Sequence, residues 1–201
     1  MKKLLLIIPI ALIVLTGYYF LKPISKVNIQ PLGQVSPEYI DQVKKSIKSF
    51  YGYDCVVLPK KEITKDMLSK ERRRVDADKV LQSNKSLDNY LFITEKDICH
   101  FKSPASPEFG ILGLGNLYGK TCIVSTFRLK KQVTKEKVTK EKILERLEKV
   151  ALHEIGHNLG LNHCLNSKVC MMHAADGTIK QVDREKVWFC EKCRKQIKKQ
   201  H

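Results

Sequence analysis

His153-Glu154-Ile155-Gly156-His157-Asn158-Leu159-Gly160-Leu161-Asn162-His163-Cys164 is the stretch around which this chain is organised. On a helix, His153 and His157 lie at i and i+4, one turn apart on the same face, so that two imidazoles can converge on a single metal ion. Glu154 is the next residue round the helix and can reach a water on that ion instead of the ion itself. Gly160 is the residue best able to take a left-handed conformation and stop the helix. A sharp turn there swings His163 back beside the other two. Three neutral imidazole nitrogens with an open fourth position is the arrangement of catalytic zinc. The plainer reading, polar residues at a helix end, accounts for a bare H-E-x-x-H but leaves Gly160 and His163 without a reason.

Immediately downstream stands a set of four cysteines, Cys164 and Cys170 and then Cys190 and Cys193. A C-x-x-C pair with a second, looser pair reads as tetrahedral thiolate coordination, a closed structural zinc site. Two disulfides are the competing reading, weakened because a C-x-x-C bridge closes a very short loop.

The run H-E-x-x-H-x-x-G-x-x-H-C, then x5-C-x-M, then seventeen residues to C-x-x-C resembles the signature of the archaemetzincins, a family of zinc metallopeptidases. The resemblance implies that His153, His157 and His163 ligate a catalytic zinc and that Glu154 is the general base. It implies that Cys164, Cys170, Cys190 and Cys193 hold a second, structural zinc. Met172 matches the methionine of the turn beneath the metal. Leu91-Phe92-Ile93-Thr94 with Asp97, and Phe109-Gly110 through Val124-Ser125-Thr126-Phe127-Arg128-Leu129, resemble the family more weakly. Some related peptidases carry a tyrosine two residues after the turn methionine, where this chain has Ala174; His173 beside it reads as solvent-facing.

Working outward, Lys135 to Leu159 keeps a helical period of apolar residues and forms the long active-site helix, its charged early turns exposed. Asp176-Gly177 marks a turn, and Asp183 is expected to cap a last helix that carries Val187, Trp188, Cys190, Cys193 and Ile197. Upstream, Thr121 to Leu129 reads as a strand, and the family resemblance makes it the edge to which an extended substrate is added. Phe101 to Lys120, rich in glycine, reads as a loop and hairpin; its spacing fits no dinucleotide fingerprint. Tyr90 to Thr94 is the most apolar short strand and is expected to be central. A charged segment from about Lys65 to Lys85 reads as helix, Cys55 to Leu58 as strand, and Val27 to Gly33 as a first strand. Between the last two, Ser36 and Pro37 open a helix that Gly52 ends. The fold class is α+β with α/β character: a small mixed twisted sheet flanked by helices, a long active-site helix, and a C-terminal part braced by the four-cysteine zinc site.

The chain carries 37 basic against 21 acidic residues, a net charge of +16. Its basic clusters (Lys130-Lys131, Arg72-Arg73-Arg74, Lys198-Lys199) are not interleaved with aromatic residues, which argues against a nucleic-acid partner. Leu4 to Leu21 is an uncharged apolar run behind Lys2 and Lys3, close to the roughly 20 residues that span a bilayer. It reads as a signal anchor, with a cleaved signal peptide as the alternative. Residues 1–22 are therefore assigned to a signal anchor or signal peptide and 23–201 to a metallopeptidase domain. The enzyme is expected to be membrane-anchored outside the cytoplasm or secreted, to act as a monomer, and to take a peptide or protein substrate. An exported location sits uneasily with thiolate zinc ligands, since such compartments oxidise cysteine. Cys55, Cys99 and Cys122 are left over, the first and last as buried apolar residues. The rival class is a non-catalytic, zinc-stabilised binding protein in which Glu154 is idle.

Overall fold

A computed structural model describes residues 26–71, 73–84, 86–101, 107–134, 137–175 and 178–198. Five strands form the main sheet: β1 (Lys26–Leu32), β2 (Asp54–Val57), β4 (Tyr90–Thr94), β7 (Gly113–Gly115) and β8 (Thr121–Ser125). Their order is β2-β1-β4-β8-β7. All pairs are parallel except β7 with β8. β4 is central, as its composition indicates: buried on both faces, it reads as an unbroken apolar run and not as an alternation. Leu91, Ile93, Cys122 and Val124 face one core, and Phe92 and Ile123 face the other. That split is the period of two expected of neighbouring strands.

Two helices cover the first face, α1 (Pro37–Tyr51) and α3 (Lys140–Asn158). Gly52 ends α1 in the left-handed region at φ 74°, where its N–H donates to the Lys48 carbonyl. Thr139 caps α3 by accepting from the Lys142 N–H. The second face is covered by a smaller sheet of β3 (Val75–Asp76), β5 (Ile98–His100) and β6 (Phe109–Ile111), with α2 (Ala77–Ser83). Two short helices, α4 (Ile179–Arg184) and α5 (Glu191–Lys198), complete the described chain.

Several expectations are corrected. The single helix expected over 65–85 is a 3-10 turn at Lys65–Met67, then β3, then α2. Asp76 accepts from the Lys79 N–H and starts α2 where a continuous helix was expected to pass through. The expected last helix is two, and Asp183 does not cap it but lies within α4, where its carboxylate grips Arg146. The Thr121–Leu129 strand ends at Ser125 and is interior, paired on both sides, so the free edge belongs to β7. Residues 1–22, the Asp176-Gly177 turn and the boundary at residue 23 lie outside the described residues.

The membrane-anchored or secreted location is also corrected. Among the described residues no helix is long and apolar enough to cross a membrane. The longest, α3, has 19 residues and carries Arg146, Lys149 and Glu154 on the face it buries. Those charges are satisfied by protein partners, which a lipid environment would not supply.

Arg146 illustrates this. It is 2 % exposed and donates to both Asp183 oxygens at 2.8 Å, and to the carbonyls of Leu129 and Lys131 at 2.7 and 2.9 Å. Four donors are thus used on one buried guanidinium, tying α3, α4 and the segment after β8 together. Burial pushes the Asp183 carboxyl up, but the hydrogen bond and charge of Arg146, with Lys142, outweigh it and hold the carboxyl below its usual value. Asp183→Ala is expected to cost about 3 kcal/mol at neutral pH, because the buried cation loses its counter-charge. The sign with pH follows from the lowered value. The contribution is full above the unfolded carboxyl value of about 4 and fades as pH falls through the folded one. Urea unfolding of both proteins at pH 7 and pH 3 should show the difference narrowing on the acid side.

Candidate metal centre

The C-terminal half of α3 carries His153, Glu154 and His157 under the sheet edge. Gly160, at φ 79°, turns the chain directly after the helix. Leu161 N–H then closes back onto the Gly156 carbonyl at 2.9 Å. This turn brings His163 to the other two. The ring centroids of the three histidines stand 4.7, 5.4 and 4.8 Å apart. One nitrogen from each lies within 4.8 Å of the others.

The backbone decides which nitrogens are available. His153 Nδ1 bonds the Met171 carbonyl at 2.6 Å and His157 Nδ1 bonds the Leu161 carbonyl at 2.7 Å. A carbonyl only accepts, so each Nδ1 carries the proton and each Nε2 keeps its lone pair for a metal. Burial, with the other imidazoles, holds His153 down to about 3. Burial likewise holds His157 at about 4. Neutral rings are what a metal ion needs as ligands. Met172, fully buried, lies beneath this group with its sulfur against Gly156, where a Cβ would come within 2.5 Å of Sδ. His173, expected to face solvent, is partly exposed, and its Nδ1 donates to the Cys164 carbonyl at 2.8 Å and so helps to hold the same turn.

The Glu154 carboxyl lies against β7. Gly113 and Gly115 lie so close that a Cβ on the first would come within 2.5 Å of Glu154 Oε1, and on the second within 2.5 Å of the Glu154 carbonyl oxygen. This is the physical reason for the glycine-rich segment: a strand with side chains could not cross α3 here. Burial pushes the Glu154 carboxyl up to about 8, against the opposing hydrogen bond from the Gly115 backbone. Asn158, one turn on, donates to the carbonyls of Asn116 and Thr121 at 2.9 and 3.0 Å and pins the β7–β8 turn to the helix. Tyr118 takes a positive φ of 55°, donates its N–H to the His157 carbonyl at 3.0 Å, and lays its ring over Gly160. None of Gly113, Gly115, Asn158, Tyr118 or the Met171 carbonyl has a motif that announces it.

The four cysteines form a second cluster, all buried, with sulfurs within 4.8 Å of one another. Cys164 to Cys190 is 3.5 Å, Cys190 to Cys193 3.6 Å, and Cys170 to Cys193 3.8 Å. Sulfurs about 2.3 Å from one tetrahedral ion would stand about 3.8 Å apart, so the set fits a zinc ion. No two of the seven cysteines are joined in a disulfide, and the four clustered sulfurs stand beyond bonding distance of one another. The C-x-x-C is not wholly helical: Cys190 precedes α5 and Cys193 lies in its first turn. Cys122 is buried as expected, whereas Cys55 is only half-buried.

Residues 32–199 match the model of peptidase family M54. The chain is 31% identical to the archaemetzincin of Methanocaldococcus jannaschii over 175 residues, covering 87% of this chain and 93% of that one. Identity to the archaemetzincin of Archaeoglobus fulgidus is also 31%, over 86% of this chain and 99% of that one. The crystal structure of the A. fulgidus protein, complexed with malonate, superposes with a TM-score of 0.72 at 29% identity, covering 85% of this chain and 99% of that one. The archaemetzincin of Methanopyrus kandleri has the same fold, with a TM-score of 0.68 at 24% identity over 87% of this chain and 94% of that one.

Proposed function

The chain belongs to peptidase family M54 and is a zinc metallopeptidase, and from that premise we propose that it hydrolyses peptide bonds with Glu154 as general base. In this reading His153, His157 and His163 hold the catalytic zinc. Cys164, Cys170, Cys190 and Cys193 hold a second, structural zinc. The observation that carries the reading is the division of labour on one helix face. Two imidazoles are locked by backbone carbonyls with Nε2 free, while the carboxylate between them is turned to another partner.

Zinc held by the three imidazoles would supply Lewis acidity, polarising a carbonyl and bringing the pKa of water toward about 7. Glu154 takes the proton from the attacking water and returns it to the leaving nitrogen. β7 is the outer strand of the main sheet, and its backbone lies directly against Glu154. An extended peptide added to that edge would bring its own backbone past the carboxylate, so the substrate strand is β7 and not β8. The second ion would tie Cys164, the residue after His163, to α5. Gln196 of α5 supports this role by donating to the Gly160 carbonyl at 2.8 Å.

A peptide library incubated with zinc-loaded protein is expected to be cleaved at internal or terminal bonds. Cleavage should stop with a chelator and return when zinc is restored. Protein that holds zinc at the histidine site yet cleaves nothing would overturn the reading in favour of a zinc-stabilised binding protein.

A further inference from the structure

The turn between β7 and β8 runs from Asn116 to Gly119 and closes through the Gly119 N–H, which donates to the Asn116 carbonyl at 2.8 Å. Its third residue, Tyr118, takes a φ of 55°, the only positive φ outside glycine among the described residues. A positive φ at that place in a turn favours glycine or asparagine, because a Cβ crowds the backbone there. A tyrosine in it is strained, and such strain persists only where surrounding contacts fix it. Two contacts do so. The Tyr118 N–H donates to the His157 carbonyl at 3.0 Å, and the ring rests so closely on Gly160 that a Cβ there would have no room. Even so, Tyr118 is 66 % exposed, and Leu117 beside it 45 %.

The strain sets the ring beside the path of a substrate. β7 is the outer strand of the main sheet, with Gly113 and Gly115 against Glu154. A peptide added to that edge and continued past Gly115 runs next to the turn. There Tyr118 stands over the end of α3, on the turn that presents His163. Its outer surface is apolar and already fixed, so a side chain buried against it meets little further ordering cost. None of the four turn residues is charged. The surface therefore selects by apolar contact, and the side chain that gains most against a ring is another aromatic one.

We propose that Tyr118 determines specificity, its exposed ring receiving an aromatic side chain of the substrate on the side of the scissile bond that lies toward the β7–β8 turn. The inference rests on the peptidase reading and on β7 as the substrate strand. It is tested with peptides carrying phenylalanine or serine at each position flanking the cleaved bond, using zinc-loaded wild type, Tyr118→Asn and Tyr118→Phe. Asparagine suits the left-handed backbone and removes the ring, whereas phenylalanine keeps the ring. At a position on one side of the bond, wild type should favour phenylalanine over serine about tenfold in kcat/KM. Tyr118→Phe should keep that ratio. Tyr118→Asn should bring it to about one, with bound zinc unchanged and Tm equal or higher, since the strain is relieved. A wild type without the preference, a preference that survives Tyr118→Asn, or one lost in Tyr118→Phe overturns the assignment and leaves the peptidase reading intact. Loss of zinc in Tyr118→Asn overturns it too, making the tyrosine a brace of the His163 turn. Calorimetry of the same peptides on zinc-loaded Glu154→Gln, with and without Tyr118→Asn, needs no turnover. Wild type that cleaves nothing overturns the peptidase reading instead. The tyrosine is then judged by calorimetry alone, where equal affinities for phenylalanine and serine peptides overturn its role.

Discussion

Glu154→Gln is expected to lower kcat/KM for peptide hydrolysis by about 10³-fold, in the range that general-base residues supply, with the zinc content unchanged. The substitution is close to isosteric, which matters at this position. Glu154 is wedged under β7 with Gly113 against its carboxyl end, so a larger or differently shaped residue would move the strand as well as the chemistry. A glutamine oxygen can still accept from the Gly115 N–H, and the fold around it should survive. What the amide cannot do is accept a proton from water and hand it on. The decisive pairing is metal analysis with steady-state kinetics on the same preparation. Lost activity with full zinc supports the general-base role. Lost zinc would make Glu154 a structural member of the site, and retained activity would remove it from the mechanism.

Cys193→Ala should have the largest effect on stability. It is expected to reduce bound zinc from two equivalents to one and to lower Tm by on the order of 10 °C or more, since structural zinc contributes about 10 kcal/mol of binding free energy to folding. The reason lies in what the cysteines join. Cys164 follows His163 and donates its N–H to the Met172 carbonyl at 2.6 Å, while its own carbonyl accepts from His173. Cys190 and Cys193 bring in α5, which holds the Gly160 carbonyl through Gln196. Loosening this corner frees the turn that presents His163, so affinity at the histidine site should fall too. Cys99→Ala, in the small sheet, is the control and should leave both equivalents in place. Zinc titration with a chromophoric chelator and thermal unfolding measure both outcomes. A Cys193→Ala protein that keeps two ions would rule out the four-cysteine site.

The grouping of the histidines was legible because it depends on local geometry alone: helical spacing sets His153 over His157, and one glycine at a left-handed φ returns His163. The start and end of α1 at Pro37 and Gly52, and the central place of β4, were legible for the same reason. The segment 65–85 was not. Its periodicity suits a helix, yet backbone pairing of Val75 with Ile98 across the small sheet outweighs local propensity. Asp183 was misread likewise. A capping position is a local signal, whereas its partner Arg146 lies 37 residues away. The identity of the edge strand was equally out of reach. Thr121 to Leu129 looks the part by itself, and only the antiparallel return of Gly113–Gly115 shows that β8 is covered.

By itself, the sequence determined which atoms could meet a metal: three imidazoles and four thiols at spacings that a helix, a turn and a C-x-x-C bring together within a few residues. Only the tertiary structure decided what surrounds them. The Met171 carbonyl that sets the His153 tautomer and the bare strand laid over Glu154 are met through the folded sheet and corner. Periodicity and capping report contacts between near neighbours in the chain, and contacts across the fold leave no such trace.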